Sequence, residues 1–118
     1  MRLLTARDTA RLLANGRRQQ PRKGTAGELD LRPVVKLFLP DAPCTWLLTE
    51  LDPEDADRAF GLCDLGQGAP ELGYVSLRAL AKVRGFLRMK VERDRAFTAD
   101  KPLSAYVADA TKAGRITY

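Results

Sequence analysis

The sequence predicts an α+β domain: a four-stranded antiparallel sheet, a meander, with helices packed on one face. Three observations lead there. Four short runs rich in leucine, β-branched and aromatic residues follow one another between positions 33 and 75. The connections between them are too short for the crossovers that parallel strands require. Segments with helical signals flank this block on both sides, giving the order α–β–β–β–β–α–α. The chain has 118 residues and reads as one domain, 1–118. A chain of this size buries roughly two thirds of its unfolded surface, so it needs neither a metal nor a disulfide to fold.

The first helix runs from Thr5 to Gly16. Thr5 is placed to cap it, Asp8 follows three residues later as in a capping box, and Asn15-Gly16 is a stop signal. From about 16 to 32 there is much charge and no periodicity, which predicts a basic loop or mobile arm. Val34–Leu39 then reads as a strand stopped by Pro40-Asp41, and Thr45–Leu51 as a second. A turn at Asp52-Pro53-Glu54-Asp55 leads to a third run, Ala59–Leu65, and Gly66-Gln67-Gly68 leads to a fourth, Glu71–Val75. The strands are therefore expected near 33–39, 45–52, 59–65 and 71–75, with alternation sending Leu37, Leu39 and Leu48 toward the helices. Ser76 caps a second helix that ends at Arg84-Gly85. Residues 86–97 give only a short extended segment at Met89–Glu92. Pro102 and Gly114 bracket a last helix, Leu103–Lys112.

Composition removes several chemistries. The chain has 20 Lys+Arg, 15 Asp+Glu and no His, net +5. Without His there is no Ser–His–Asp triad, no Cys–His pair and no imidazole metal ligand. Cys44 and Cys63 alone cannot build a structural zinc site and are expected as free thiols packed as small hydrophobes. Met1-Arg2-Leu3-Leu4-Thr5 runs straight into Arg7, Asp8 and Arg11, unlike a secretory leader, and no apolar run approaches the roughly 20 residues needed to cross a bilayer. A cytoplasmic protein with no membrane contact and no cofactor is expected.

The charge is segregated. Residues 1–36 hold nine bases and three acids, net +6. Residues 37–74 hold Arg58 against eight acids, net −7. Residues 75–118 hold ten bases and four acids, net +6. Such a chain either presents a surface field with sign structure or docks its own segments together.

Three groups of side chains are candidates for function. The acidic run Glu50, Asp52, Glu54, Asp55, Asp57 has the chemistry of a hard-cation site or of a patch for a basic partner. It lacks the calcium-loop pattern, and an Asx-type turn at Asp52 explains it without a ligand, so no metal is assigned. Glu50 and Glu71 could form an acid–base pair only if the strands placed them together. The basic residues form two groups: Arg17, Arg18, Arg22 and Lys23, and Arg78, Lys82, Arg84, Arg88, Lys90, Arg93 and Arg95, of which the first group and Arg78, Lys82, Arg84 and Arg88 are the candidate phosphate contacts. Arg78 and Lys82 are i, i+4 and share a helix face. Clustered cations of this kind bind phosphates with strong salt dependence. Trp46, Phe60 and Tyr74 lie on three successive strands and read as packing residues rather than a base-stacking platform. Gly61, Gly66, Gly68 and Gly73 match no phosphate-loop spacing and read as turn or bulge glycines.

Several motifs together resemble a family of small bacterial proteins of unknown function. They are Leu3-Leu4-Thr5, Lys36-Leu37-Phe38-x-Pro40, Thr45-Trp46-x-x-Thr49-Glu50-x-Asp52, Phe60-Gly61-Leu62, Glu71-Leu72-Gly73-Tyr74-x-Ser76-Leu77, Val83-Arg84-Gly85, Glu92-Arg93-Asp94-x-x-Phe97 and Pro102-Leu103. The resemblance spans nearly the whole chain. It implies a place on plasmids and integrative or conjugative elements, and no catalytic residue. The expected function is that of a non-enzymatic accessory protein of a mobile element, binding nucleic acid or a nucleoprotein complex. A protein-binding inhibitor or adaptor directed at a host defence complex is the second reading, and a metal-dependent enzyme resting on the acidic run is the third.

Overall fold

In the computed structural model, residues 3–118 are described; Met1 and Arg2, which bear on the argument against a leader, lie outside them. The centre of the fold is a long hairpin. Strand β2 (Thr45–Asp52) turns at Pro53-Glu54 into β3 (Asp55–Asp64), which starts four residues earlier than its apolar content predicts. Strands β1 (Val35–Phe38) and β4 (Glu71–Ser76) flank this hairpin. A fifth strand, β5 (Glu92–Arg93), pairs with the free edge of β1, giving the order β4-β3-β2-β1-β5, antiparallel throughout. The sheet thus has five strands rather than the expected four.

Helices cover both faces, which corrects the expectation of a single covered face. Helix α1 (Ala6–Gln19) and helix α2 (Leu77–Lys82) pack Leu12 and Leu80 against Val35, Leu37, Trp46, Leu48, Leu51 and Ala59. Helix α3 (Leu103–Ala113) lies on the other side, where Leu103, Tyr106 and Ala110 meet Leu47 and Leu62. The physical reason is that the central strands are apolar on both faces; Leu47 and Leu48 are consecutive and both fully buried. A bulge at Thr49 reverses the alternation, because Leu48 pairs with Gly61 but Glu50 with Phe60. It sends Leu51 to the α1 side and Glu50 to the α3 side.

Helix α1 begins as its capping box predicts: Asp8 N–H donates to Thr5 Oγ1 (3.0 Å) and Thr5 N–H to Asp8 Oδ2 (3.1 Å). It does not stop at Gly16. A Cβ there would lie 1.8 Å from the Leu51 carbonyl oxygen, so the bare glycine lets the helix seat directly on β2. The helix continues to Gln19 and a 3₁₀ turn follows at Gln20–Arg22. Residues 16–22 of the expected arm are therefore helical. The irregular stretch beyond them is tied down by a reciprocal pair: Gln19 Nε2 donates to Leu29 O (2.7 Å) and Leu29 N–H to Gln19 Oε1 (2.8 Å).

Part of the charge segregation is consumed internally. Lys23 faces Glu50 and Arg78 faces Asp57, basic flank to acidic centre. The two flanks also pair with each other. Arg93 Nη2 donates to Asp8 Oδ1 (3.1 Å) with Nε 2.6 Å from Oδ2, and Lys36 Nζ donates to Asp94 (3.0 Å). Burial pushes the Asp8 carboxyl up, but the bonds from Arg93 and Thr5 outweigh it and hold the group below its ordinary value. No helix among the described residues is long and apolar enough to cross a membrane.

Candidate nucleic-acid interface

The second basic group is brought together on one continuous piece of chain. Helix α2 starts where the acidic run ends. Ser76 Oγ donates to Asp57 Oδ2 (2.5 Å) and accepts from Ala79 N–H (3.1 Å), while Arg78 N–H donates to Asp57 Oδ1 (2.9 Å). Those donors hold the Asp57 carboxyl below its usual range. Leu80 faces the core, leaving Arg78 and Lys82 outward on the exposed side. The helix ends at Lys82, with Val83 extended as its C-cap, and Arg84 Nη1 donates to the carbonyls of Ala81 and Val83 (both 2.9 Å), a cation at a helix C-terminus.

A tight turn follows. Arg84 and Lys90 pair as an antiparallel bridge, Gly85 N–H donates to Met89 O (3.0 Å), and Arg88 N–H donates to Gly85 O (2.9 Å). Arg88 takes φ 64°, a conformation that costs a side-chain-bearing residue on the order of 1–3 kcal/mol. Asp41, from the β1–β2 connection, holds the turn from beneath, accepting from Leu87 N–H (2.5 Å) and Met89 N–H (3.3 Å) through Oδ2. Its buried Oδ1 has no donor and lies where a side chain on Gly85 would begin, 1.6 Å from an ideal Cβ. The clasp presents Phe86 and Leu87 at the tip, 85% and 78% exposed, among Arg84, Arg88 and Lys90.

The first basic group is dispersed. Arg17 and Arg18 occupy the last turn of α1. Arg22 folds toward Gly27 O (3.5 Å). Lys23 crosses to the α3 side of the sheet, donating to Tyr74 Oη (2.7 Å) and lying 3.9 Å from Glu50, with the Arg58 guanidinium 3.8 Å from the Tyr74 ring centroid. The first group is thus divided among α1, the segment after it and the sheet, whereas the second lies on one short stretch of chain.

The acidic run is largely occupied by its own hairpin. Asp52 Oδ1 accepts from Glu54 N–H (2.9 Å), the expected Asx turn, and Asp55 Oδ1 accepts from Asp57 N–H (3.1 Å). Glu50, 4% exposed, is withdrawn beneath Lys23; burial pushes its carboxyl up, against the Thr49 hydroxyl bond and Lys23. Glu50 and Glu71 sit on opposite faces, since Glu50 pairs with Phe60 and Glu71 with Cys63. Trp46 is likewise on the face opposite Phe60 and Tyr74, whose rings pack 5.0 Å apart. Among the described residues no three His, Cys, Asp or Glu side chains gather as a metal site. Both cysteines are free, with the Cys63 thiol pushed up to about 11 by burial and Cys44 also raised, so both stay protonated at neutral pH.

Sequence reasoning missed the clasped tip. It also missed Arg11 and Arg32, which flank Arg18 in a cleft beside α1. The spacing of Arg7, Arg11 and Arg18 along one helical face is the signal that points to that cleft.

The chain belongs to DUF2958, a family of proteins of unknown function, which it matches over residues 3–117. No curated protein and no solved structure matches it.

Proposed function

We propose that this DUF2958 protein binds nucleic acid, without reacting with it, through α2 and the turn at 84–90. One observation carries the reading: a turn held by Asp41 offers two apolar side chains to solvent within a cluster of cations. Arg78, Lys82, Arg84 and Arg88 supply phosphate contacts that release counterions. Phe86 and Leu87 supply an apolar wedge for base faces, as architectural and single-strand binders use. The turn is ordered before binding, so little conformational freedom remains to be lost there. The plasmid and conjugative-element setting implied by the sequence motifs suits an accessory protein acting at nucleic acid or a nucleoprotein complex in the cytoplasm.

The test is a fluorescence titration of labelled single- and double-stranded oligonucleotides at several salt concentrations. Affinity should be modest, weakly sequence-specific and steeply salt-dependent. The triple change Arg78→Gln, Lys82→Gln, Arg88→Gln should flatten the log–log salt slope by roughly 0.7–0.9 for each phosphate no longer neutralised. Salt-independent binding, or none at low salt, would overturn the proposal.

The same tip supports the second reading, an inhibitor or adaptor on a protein partner, because exposed Phe and Leu on a fixed turn can fill a partner's pocket. A pull-down from host lysate that survives nuclease treatment and is lost in the Phe86→Ala, Leu87→Ala variant would favour it.

A further inference from the structure

A cleft of about 390 Å³ runs between α1 and residues 30–34, lined by Arg11, Arg18 and Arg32 above Ala14, Leu31 and Val34. Arg11 and Arg18 are two helical turns apart, roughly 10 Å along the axis, and the short side chain of Ala14 between them leaves the space open. None of the three guanidiniums is in an ion pair among the described residues. One acid lines the cleft, Asp30, and both its oxygens are engaged elsewhere. Oδ1 accepts from Ser104 N–H (3.1 Å) and Oδ2 from Ser104 Oγ, at the start of α3. Three guanidiniums against one committed carboxylate leave the cleft with a net charge near +2.

The backbone of both walls is held before any ligand arrives; the Arg11, Arg18 and Arg32 side chains are exposed, and among the described residues only Arg18 of the three is hydrogen-bonded. Asn15 donates to Thr49 O on β2 (2.9 Å), and its Oδ1 accepts from Arg18 Nη1 (3.3 Å), so the sheet orients one guanidinium through a side-chain relay. On the other side Leu103 N–H donates to Leu31 O (2.8 Å) and Val34 N–H to Leu48 O (2.8 Å). Three guanidiniums lining one cleft against a single carboxylate leave an excess of positive charge, and an anion placed among them lowers their mutual repulsion. Guanidiniums match phosphate oxygens in geometry as well as charge.

We propose that this cleft binds a phosphate monoester. A monoester carries about −1.5 to −2 at neutral pH, which matches the cleft, whereas a diester carries a single charge. The cleft is open to solvent, and its lining runs past the guanidiniums to Ala14, Leu31 and Val34, which give the esterified group an apolar surface to lie against. The ligand is either a free phosphorylated small molecule or the 5′-phosphate at a nucleic-acid end.

The experiment is isothermal titration of the full chain with phenyl phosphate, with dimethyl phosphate as the monoanionic comparison. Saturable binding of phenyl phosphate is expected, at least tenfold tighter than dimethyl phosphate and weakening as pH falls through about 6, where the dianion takes up a proton and becomes a monoanion. Arg18→Gln and Arg32→Gln should each weaken it on the order of tenfold, and Ala14→Glu, which fills the cleft with a carboxylate, should abolish it. Lys112→Gln, in the last turn of α3, should leave it unchanged. Arg32 lies outside any helix or strand, so its variant carries the test even if Ala14→Glu does not fold. A second arm compares 5′-phosphorylated with 5′-hydroxyl oligonucleotides. A 5′-phosphate preference that Ala14→Glu removes supports the cleft with a nucleic-acid end as ligand; no such preference, with phenyl phosphate still bound, supports it with a free small molecule. No saturable binding of phenyl phosphate, or binding that survives Arg32→Gln undiminished, would overturn the proposal.

Discussion

Gly85→Ala tests whether the Asp41 clasp holds the exposed tip. A methyl group at this position would begin 1.6 Å from Asp41 Oδ1 and 2.3 Å from its Cγ, so carboxylate and methyl cannot occupy the same place. The carboxylate must leave, and the amides of Leu87 and Met89 lose a charged acceptor. Hydrogen bonds to charged groups contribute about 1.5–3 kcal/mol, the longer of these two less. Two effects oppose the loss. Oδ1, now buried without a donor, becomes hydrated, and alanine narrows the unfolded ensemble by about 0.4–1 kcal/mol. The net destabilisation should be about 1–2 kcal/mol, or roughly 5–10 °C in melting temperature for a domain of this size. The freed turn would then have to be ordered on binding, at about 1–2 kcal/mol per residue fixed, so nucleic-acid affinity should fall by on the order of tenfold. Thermal unfolding and the oligonucleotide titration measure the two effects. A cycle with Asp41→Ala gives the sharper test: both changes remove one interaction, so the double variant should be barely less stable than Asp41→Ala alone. Additive losses, or a Gly85→Ala protein with wild-type melting and binding, would refute the clasp.

Gly16→Ala should destabilise despite alanine's higher helix propensity of about 1 kcal/mol, because its Cβ would meet the Leu51 carbonyl at 1.8 Å and lift α1 from β2; a urea midpoint above wild type would contradict this seating. For Glu50, burial raises the folded-state pKa above the unfolded one, so ionisation costs stability as pH rises through the folded value. Glu50→Gln should therefore be at least as stable as wild type at pH 7, and its advantage should shrink in acid below the unfolded carboxylate pKa; chemical denaturation at both pH values reads the sign. Mg²⁺ or Ca²⁺ should leave the melting temperature nearly unchanged, since a ligand of the folded state alone must raise it. A saturable rise abolished by Asp52→Asn with Glu54→Gln would restore the cation-site reading.

The four long strands were legible because each is a dense apolar run between turn residues. The fifth reads only as a short extended segment at Met89–Glu92, which overlaps Glu92-Arg93 by one residue; its place in the sheet is hidden, because it depends on the edge that β1 leaves open. Gly16 misled for a specific reason: glycine signals a helix stop, yet here the missing side chain permits close packing. The placement of α3 had a visible cue in the adjacent Leu47 and Leu48, which require cover on both faces. At the candidate site, Arg78 and Lys82 follow from helical spacing alone. Asp41 beneath the 84–90 turn could not be read, because a clasp across more than forty residues leaves no local pattern. Arg32 was hidden for the same reason: it lies in an irregular segment, and only the tertiary fold sets it beside α1.

The strand order also governs how the chain reaches this structure. From β1 to β4 each strand pairs with its neighbour in sequence, so three hairpins form by closing short loops. The remaining contacts span much longer stretches: Phe38 pairs with Glu92, and Ile116 N–H donates to the buried Asp64 (2.9 Å). Loop-closure entropy grows with length, so the meander is expected to assemble first, with β5 and the segment after α3 docking later. Contacts made after the rate-limiting step act on unfolding more than on folding. Substitutions at Arg93 and Ile116 are therefore expected to act on how long a folded molecule lasts, and those in the hairpins on how fast it appears.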